Sequence, residues 1–168
     1  MTTATTDLCD DFIEELQVAE PIFRHFGAQR AFHGPVRTVK AFEDNVLFKQ
    51  ALEDVAAGSV VVLDGGGSKR CALMGDKLAA IAERRGLAGV IVYGCVRDSA
   101  ELATMDLGIM ALAAYPVKSV KRGEGQRDIA VQFAGVRWVT GSYVYADEDG
   151  IILAERPLHH NSSPTASQ

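Results

Sequence analysis

Residues 59–98, SVVVLDGGGSKRCALMGDKLAAIAERRGLAGVIVYGCVRD, decide the fold. Ser59–Asp64 (SVVVLD) is a continuous β-branched run, which predicts a strand buried on both faces. Gly65-Gly66-Gly67-Ser68 ends it. Gly75-Asp76 opens a helix over about Lys77–Arg85, and Gly86 closes it. Ala88–Val92 (AGVIV) is the next buried strand, ending at Tyr93-Gly94. This is a β-α-β pattern.

The pattern extends upstream. Pro35–Phe42 alternates as a strand does. Asn45–Val55 carries Val46, Leu47, Leu52 and Val55 at helical spacing. Near the start, residues 7–17 predict a short helix, with Thr6 or Asp7 as N-cap and Phe12, Ile13 and Leu16 on one face. Downstream, Ser99–Thr104 reads as a short helix and Asp106–Ala114 as a strand-like run that Pro116 ends. The last third changes period. Ile129–Phe133, Val136–Val139, Ser142–Ala146 and Gly150–Ala154 are short alternating runs between Gly or Asp turns, which predicts an antiparallel or mixed β layer. The expected architecture is α/β: a mixed central sheet, a helical layer and a second β layer. One domain is expected over residues 1–158, with a flexible Ser/Pro/Thr-rich tail over 159–168.

Composition narrows the function. The chain has 168 residues, 48% of them apolar, and a formal net charge of −5, so an acidic globular domain is expected and direct nucleic-acid binding is not. Cys9, Cys71 and Cys95 are odd in number and lack CxxC spacing, which predicts packed thiols rather than a disulfide framework or a zinc knuckle. The start, MTTATTDLCDDF, is too polar and acidic for a signal peptide. No run approaches the roughly 18 apolar residues of a membrane span, so a cytoplasmic protein is expected.

Two strand ends carry candidate chemistry. At Gly75-Asp76-Lys77-Leu78, a glycine opening a helix leaves backbone N–H groups free at the positive end of the helix dipole, which suits a carboxylate. Taken alone, Asp76 reads more simply as a helix cap. At Arg97-Asp98, directly after a buried strand, Arg97 offers a planar fork for a carboxylate. Asp98 offers a hard oxygen for Mg²⁺ or Mn²⁺. The plain alternative is a surface Arg–Asp pair. An anion cradle, an Arg fork and a hard-metal ligand in one crevice together suit a small 2-oxo acid. The Gly65–Arg70 loop matches neither GxxxxGK[ST] nor GxGxxG, and its glycines read as a loop that lets backbone approach the crevice closely. Lys118, Lys121 and Arg122 read as a solvated basic face. Glu20 and Asp44-Asn45 give no decisive signal. Trp138 and Tyr143 read as packing residues.

With these residues the chain resembles the RraA-like family, which joins the regulator of ribonuclease activity A with 4-hydroxy-4-methyl-2-oxoglutarate aldolase. The resemblance runs over residues 7–158 and rests on Glu20–Gly27, Val39–Asn45, Val61–Ala79, Ile91–Asp98, Asp106–Pro116 and Tyr145–Leu153. It implies a swivelling β/β/α domain and a ring-shaped homotrimer with sites between subunits. One branch consists of class II aldolases that need Mg²⁺ or Mn²⁺. They cleave 4-hydroxy-4-methyl-2-oxoglutarate and related substrates to pyruvate and decarboxylate oxaloacetate. The other branch binds and inhibits ribonuclease E. Carried over, the resemblance makes Arg97 and Asp98 catalytic. Gly75, Asp76, Lys77, Leu78 and Arg97 bind substrate, and Asp98 holds the metal. Longer aldolases of the family continue with a C-terminal segment that reaches a neighbour's site, which this sequence lacks or reduces to a tail. A menaquinone methyltransferase label also used in the family finds no methyl-donor glycine loop here.

Overall fold

The computed structural model describes residues 3–159. Apart from His159, the tail expected over 159–168 lies outside them. The elements are α1 (Thr5–Phe12), a 3₁₀ turn (Ile13–Glu15), β1 (Gln17–Val18), β2 (Arg24–His25), β3 (Phe32–Lys40), α2 (Val46–Asp54), β4 (Val60–Asp64), β5 (Ala72–Met74), α3 (Asp76–Arg84), β6 (Gly89–Val96), α4 (Ser99–Leu102) and β7 (Gly108–Ala114). The last third adds β8 (Gln126–Arg127), β9 (Val131–Phe133), β10 (Val136–Trp138), β11 (Tyr143–Ala146) and β12 (Ile151–Ala154).

The main sheet runs β1-β12-β11-β3-β4-β6-β7-β2, with β5 on β6 and β8 on β3, and β9-β10 form a separate hairpin. Strands β3, β4, β6 and β7 are parallel; the flanking pairs are antiparallel. The long strand β3 serves both regions. Residues 32–35 pair with β11, and residues 36–40 pair with β4. The mixed sheet, helical layer and second β layer expected from the sequence are therefore present.

The β-branched runs are buried on both faces, as their continuity requires. Val61, Leu63, Val90 and Val92 pack with Phe48 and Leu52 of α2 and Ala79 and Ala82 of α3. The alternate residues Val60, Val62 and Ile91 pack against Phe133, Val136, Trp138, Val144 and Leu153 of the β layer. Trp138 is fully buried, as its packing role requires. Arg85, just past α3, donates to the carbonyls of Leu52 (2.9 Å) and Val55 (2.7 Å), capping the C-terminal end of α2.

The N-terminal helix differs from its expectation. It starts at Thr5, and neither Thr6 nor Asp7 caps it; the N-cap residue is Ala4, which has no side-chain bond to give. Asp147, in the β11–β12 turn, caps the helix from a distance by accepting the Thr5 N–H and hydroxyl, both at 2.8 Å. Thr5 and Leu8 are the buried residues of the helix, whereas Ile13 is 55% exposed. Phe12 and Leu16 pack, half-buried, against the cluster of Leu8, Tyr145 and Ile152 as the periodicity predicts, so of the expected face only Ile13 departs.

One ion pair gives a pH signature. Arg37 grips Asp128 with two bonds, of 2.9 and 3.0 Å, and Thr140 adds its hydroxyl at 2.8 Å. The Arg37 fork, opposed by partial burial and helped by Thr140, holds the Asp128 carboxyl down at about 2, against an ordinary 3.8. A depressed carboxyl stabilises the fold above its unfolded pKa, and that stabilisation drains away as pH falls from there through about 2. Asp128→Asn should therefore cost about 0.5–1 kcal/mol at pH 7, the range of a half-exposed pair. The difference from wild type should close near pH 2, read from urea midpoints across that range. A difference that persisted unchanged at low pH would contradict the assignment.

Candidate active site

Strands β5 and β6 lie side by side and parallel, in the register Ala72↔Cys95 and Met74↔Val96. Each ends at one half of the candidate site. β5 passes through Gly75 into α3, and β6 passes through Arg97-Asp98 into α4. The Arg97 N–H donates to the Met74 carbonyl at 2.9 Å, fixing the two ends together. Asp98 sits in the left-handed region (φ 56°), which Asp tolerates better than most residues. Its Oδ2 accepts the Asp76 N–H at 3.0 Å. The six residues expected at the site are thus brought to one place.

Asp76 does not cap its own helix: Gly75 is the N-cap residue, and the bond comes from Asp98 on the neighbouring strand end. Gly75 has ordinary extended dihedrals (φ −126°, ψ −160°). Space is what requires glycine there. A Cβ would stand 2.4 Å from Asp98 Oδ2 and 3.3 Å from Arg97 Cγ. The first α3 bond runs from Ala79 N–H to Gly75 O (3.1 Å), so the Lys77 and Leu78 amides precede the helical ladder. They carry the positive end of the helix dipole.

The plain alternative, an Arg97–Asp98 ion pair, is not formed. Among the described residues neither side chain takes part in a salt bridge. Arg97 is half-buried and Asp98 exposed. An unpaired guanidinium beside a carboxylate with one oxygen unbonded can receive a carboxylate and a cation together.

The chemistry of the donor set can be tested for Mg²⁺ or Mn²⁺. Among the described residues no cluster of three His, Cys, Asp or Glu exists. A closed protein cage is therefore absent, which argues against a structural zinc site. Mg²⁺ commonly binds through one or two carboxylates, with water and substrate oxygens completing its shell, and Asp98 Oδ1 fits that mode.

The Gly65–Gly67 loop is tied to the backbone of β6. The Gly65 and Gly67 N–H groups both donate to the Tyr93 carbonyl at 3.1 Å, and Gly66 and Gly67 take φ near +70°. Cys71 and Cys95 are buried, and burial pushes both thiols up from the ordinary value; all three cysteines are free.

Lys118, Lys121 and Arg122 are exposed, as expected of a solvated face, but sequence reasoning missed Asn45 and its tie to Lys121. Asn45 is buried and donates to the Leu73 carbonyl of β5 at 3.1 Å, while its Oδ1 accepts from Lys121 Nζ at 3.2 Å. The segment before Lys121 adds to β5 through the bridge Ala72↔Lys118. A lysine held by a neutral amide, beside the strand that ends at Gly75, is a second cation for this region. Asp44 anchors the segment by accepting N–H groups from Val46 (3.0 Å), Arg122 (2.8 Å) and Glu124 (3.3 Å). Burial alone would push its carboxyl up, but these bonds hold it below the usual value. Only long-range contacts reveal these roles.

Three clefts, of about 1030, 940 and 410 Å³, are lined by other residues.

Comparison with known proteins places the chain in a family. The model of the RraA-like family, described as Aldolase/RraA, matches residues 5–153. A protein of Alkalilimnicola ehrlichii named "Putative 4-hydroxy-4-methyl-2-oxoglutarate aldolase" is 59% identical over 158 residues, covering 94% of this chain and 98% of that protein. A Geobacillus kaustophilus structure described as S-adenosylmethionine: 2-dimethylmenaquinone methyltransferase superposes with a TM-score of 0.92 at 56% identity, covering 93% of this chain and 97% of that one. The RNA-processing inhibitor RraA from Thermus thermophilis superposes with a TM-score of 0.92 at 44% identity, covering 97% and 99%. No described helix is long and apolar enough to cross a membrane. The strand-end site, the layered fold and a family match over almost the whole described chain lead to one assignment: the chain belongs to the RraA-like family.

Proposed function

We propose that this chain is a divalent-metal-dependent class II aldolase, a carbon–carbon lyase. It cleaves 4-hydroxy-4-methyl-2-oxoglutarate and related 4-hydroxy-2-oxo acids to pyruvate, and it decarboxylates oxaloacetate. It works in the cytoplasm as a homotrimer with sites between subunits. The observation that carries this reading is the meeting of unpaired Arg97, the free oxygen of Asp98 and the α3 amides at two adjacent strand ends. The name of the 59% identical relative supports it.

In this reading the substrate's C1 carboxylate lies on the Arg97 fork and the Lys77 and Leu78 amides. Asp98 would hold Mg²⁺ or Mn²⁺, which when bound would supply a Lewis acid for the 2-oxo group. The Asp76 N–H on Oδ2 keeps the Asp98 carboxylate from swinging away. The C3–C4 bond breaks, its electron pair moves toward the C2 carbonyl to form the pyruvate enolate, and the C4 hydroxyl passes its proton to water as C4 becomes a ketone; C3 of the enolate then takes a proton from water to give pyruvate. With oxaloacetate, carbon dioxide leaves from the same carbon and the same enolate forms. One cationic environment for that charge therefore serves both reactions.

The test is pyruvate release from both substrates with Mg²⁺ or Mn²⁺ and with excess EDTA. Release is expected with metal, abolished by EDTA and restored by Mg²⁺. No turnover with any divalent metal would sink the lyase reading. The second reading, a regulator that binds and inhibits ribonuclease E, would then take its place. The resemblance to the Thermus RNA-processing inhibitor favours that reading.

Two substitutions probe the geometry. Gly75→Ala sets a methyl group against Asp98 Oδ2 and should lower turnover about 10–100-fold, as displacements of about 1 Å do. Melting should move only slightly, because the backbone there is ordinary. Lys121 is the candidate for the substrate's second carboxylate. Lys121→Ala should raise KM for 4-hydroxy-4-methyl-2-oxoglutarate about tenfold, or about 1.4 kcal/mol. Inhibition by pyruvate, which lacks that carboxylate, should hardly change. Equal weakening of both would remove Lys121 from this role.

A further inference from the structure

A row of four side chains crosses the sheet near the C-terminal ends of its parallel strands, away from Arg97-Asp98. Lys40 of β3 is the register partner of Asp64 on β4 and of Gln126 on β8, and Asp64 is in turn the partner of Tyr93 on β6. All four line the cleft of about 940 Å³, at the strand ends where such sheets place ligands. Asp64 is 8% exposed. One of its carboxylate oxygens accepts the Gly66 N–H at 2.9 Å; the other has no protein partner among the described residues. Lys40 stands next to it in register yet forms no ion pair, and neither does Arg122, also in the cleft. Of the other carboxylates there, Glu43 is held by Arg70 and Glu124 is exposed. Apolar surface flanks the row: Phe42 is 60% exposed and Val120 48%. A carboxylate buried this deeply is costly to leave without a counter-charge.

We infer that this cleft is a second binding site, for a free α-amino acid with an apolar side chain. The ligand's ammonium meets the open oxygen of Asp64, its carboxylate meets Lys40 and Arg122, and its side chain lies on Phe42 and Val120. The charge order of the row selects this class. Anion and cation stand on adjacent strands, about 4.8 Å apart, a spacing that the neighbouring ammonium and carboxylate of an α-amino acid can bridge. A simple amine leaves Lys40 and Arg122 unmet, and a simple carboxylate is repelled by Asp64. A hydroxy acid offers Asp64 a donor but no counter-charge. The cleft shares no residue with Gly75–Leu78 or Arg97-Asp98, so this site stands whether or not the chain is a lyase.

Isothermal titration calorimetry on the full chain tests this with L-phenylalanine and three analogues: phenethylamine lacks its carboxylate, L-phenyllactate its ammonium and glycine its side chain. Wild type should bind L-phenylalanine saturably and each analogue at least about tenfold more weakly. Asp64→Asn keeps an oxygen for the Gly66 N–H and removes the charge. That variant and Lys40→Ala should each weaken L-phenylalanine at least about tenfold, with native circular dichroism. Arg137→Ala, in another cleft, should bind as wild type does. No saturable binding by wild type at millimolar L-phenylalanine would overturn the site. So would L-phenyllactate or phenethylamine binding as tightly as L-phenylalanine, or unchanged binding in Asp64→Asn.

Discussion

Asp98→Asn should lower metal-dependent pyruvate release by about a thousand-fold or more, on the order of 4 kcal/mol of barrier. Asparagine is the informative replacement for a structural reason. Asp98 occupies the left-handed region, which Asn also tolerates, and an Asn carbonyl can still accept the Asp76 N–H. What it removes is the charge. Melting should stay close to wild type, and bound Mn²⁺, read by electron paramagnetic resonance, should be lost. Asp98→Ala should lose the same activity and in addition about 1 kcal/mol of stability, because the α3 amide then has no cap. Retained Mn²⁺ binding in Asp98→Asn would place the metal elsewhere.

Trp138→Ala should be the most damaging single change to the fold, about 3–5 kcal/mol. Trp138 is fully buried, stacks on Phe133 with ring centroids 4.8 Å apart, and donates its indole N–H to the Phe133 carbonyl at 3.2 Å. Phe133 in turn stacks on Tyr93 at 4.8 Å. Removing the indole therefore opens a void between the β layer and the parallel sheet and loosens the aromatic stack that reaches β6. In a domain of this size the melting midpoint should drop by about 10 °C or more. Trp138→Phe should recover most of the loss, since it keeps a ring in the stack. A small shift for the alanine variant, measured by calorimetry, would mean that the β layer collapses around the gap.

The two halves of the candidate site were legible because each follows a buried parallel strand, and strand ends are where such folds place ligands. Gly75–Leu78 and Arg97-Asp98 stood out locally. Asn45 and Lys121 did not. Neither has a distinctive neighbourhood in sequence, and their meaning arises only when Asn45 reaches the Leu73 carbonyl and Lys121 reaches Asn45. Strand β5 was missed because three residues carry no periodicity, and its pairing with β6 defines it.

The sequence by itself determined the layers. Continuous β-branched runs can be satisfied only by burial on both faces, and alternating runs only by burial on one. It also determined which residues stand at the strand ends. Tertiary structure alone decided what those residues do to one another. Asp98, not Asp76, caps α3; Asp147, not Thr6 or Asp7, caps α1; and Arg97 is left without an ion pair. Capping and pairing depend on distances of about 3 Å between groups far apart in the chain, and only the packing of the sheet sets those distances.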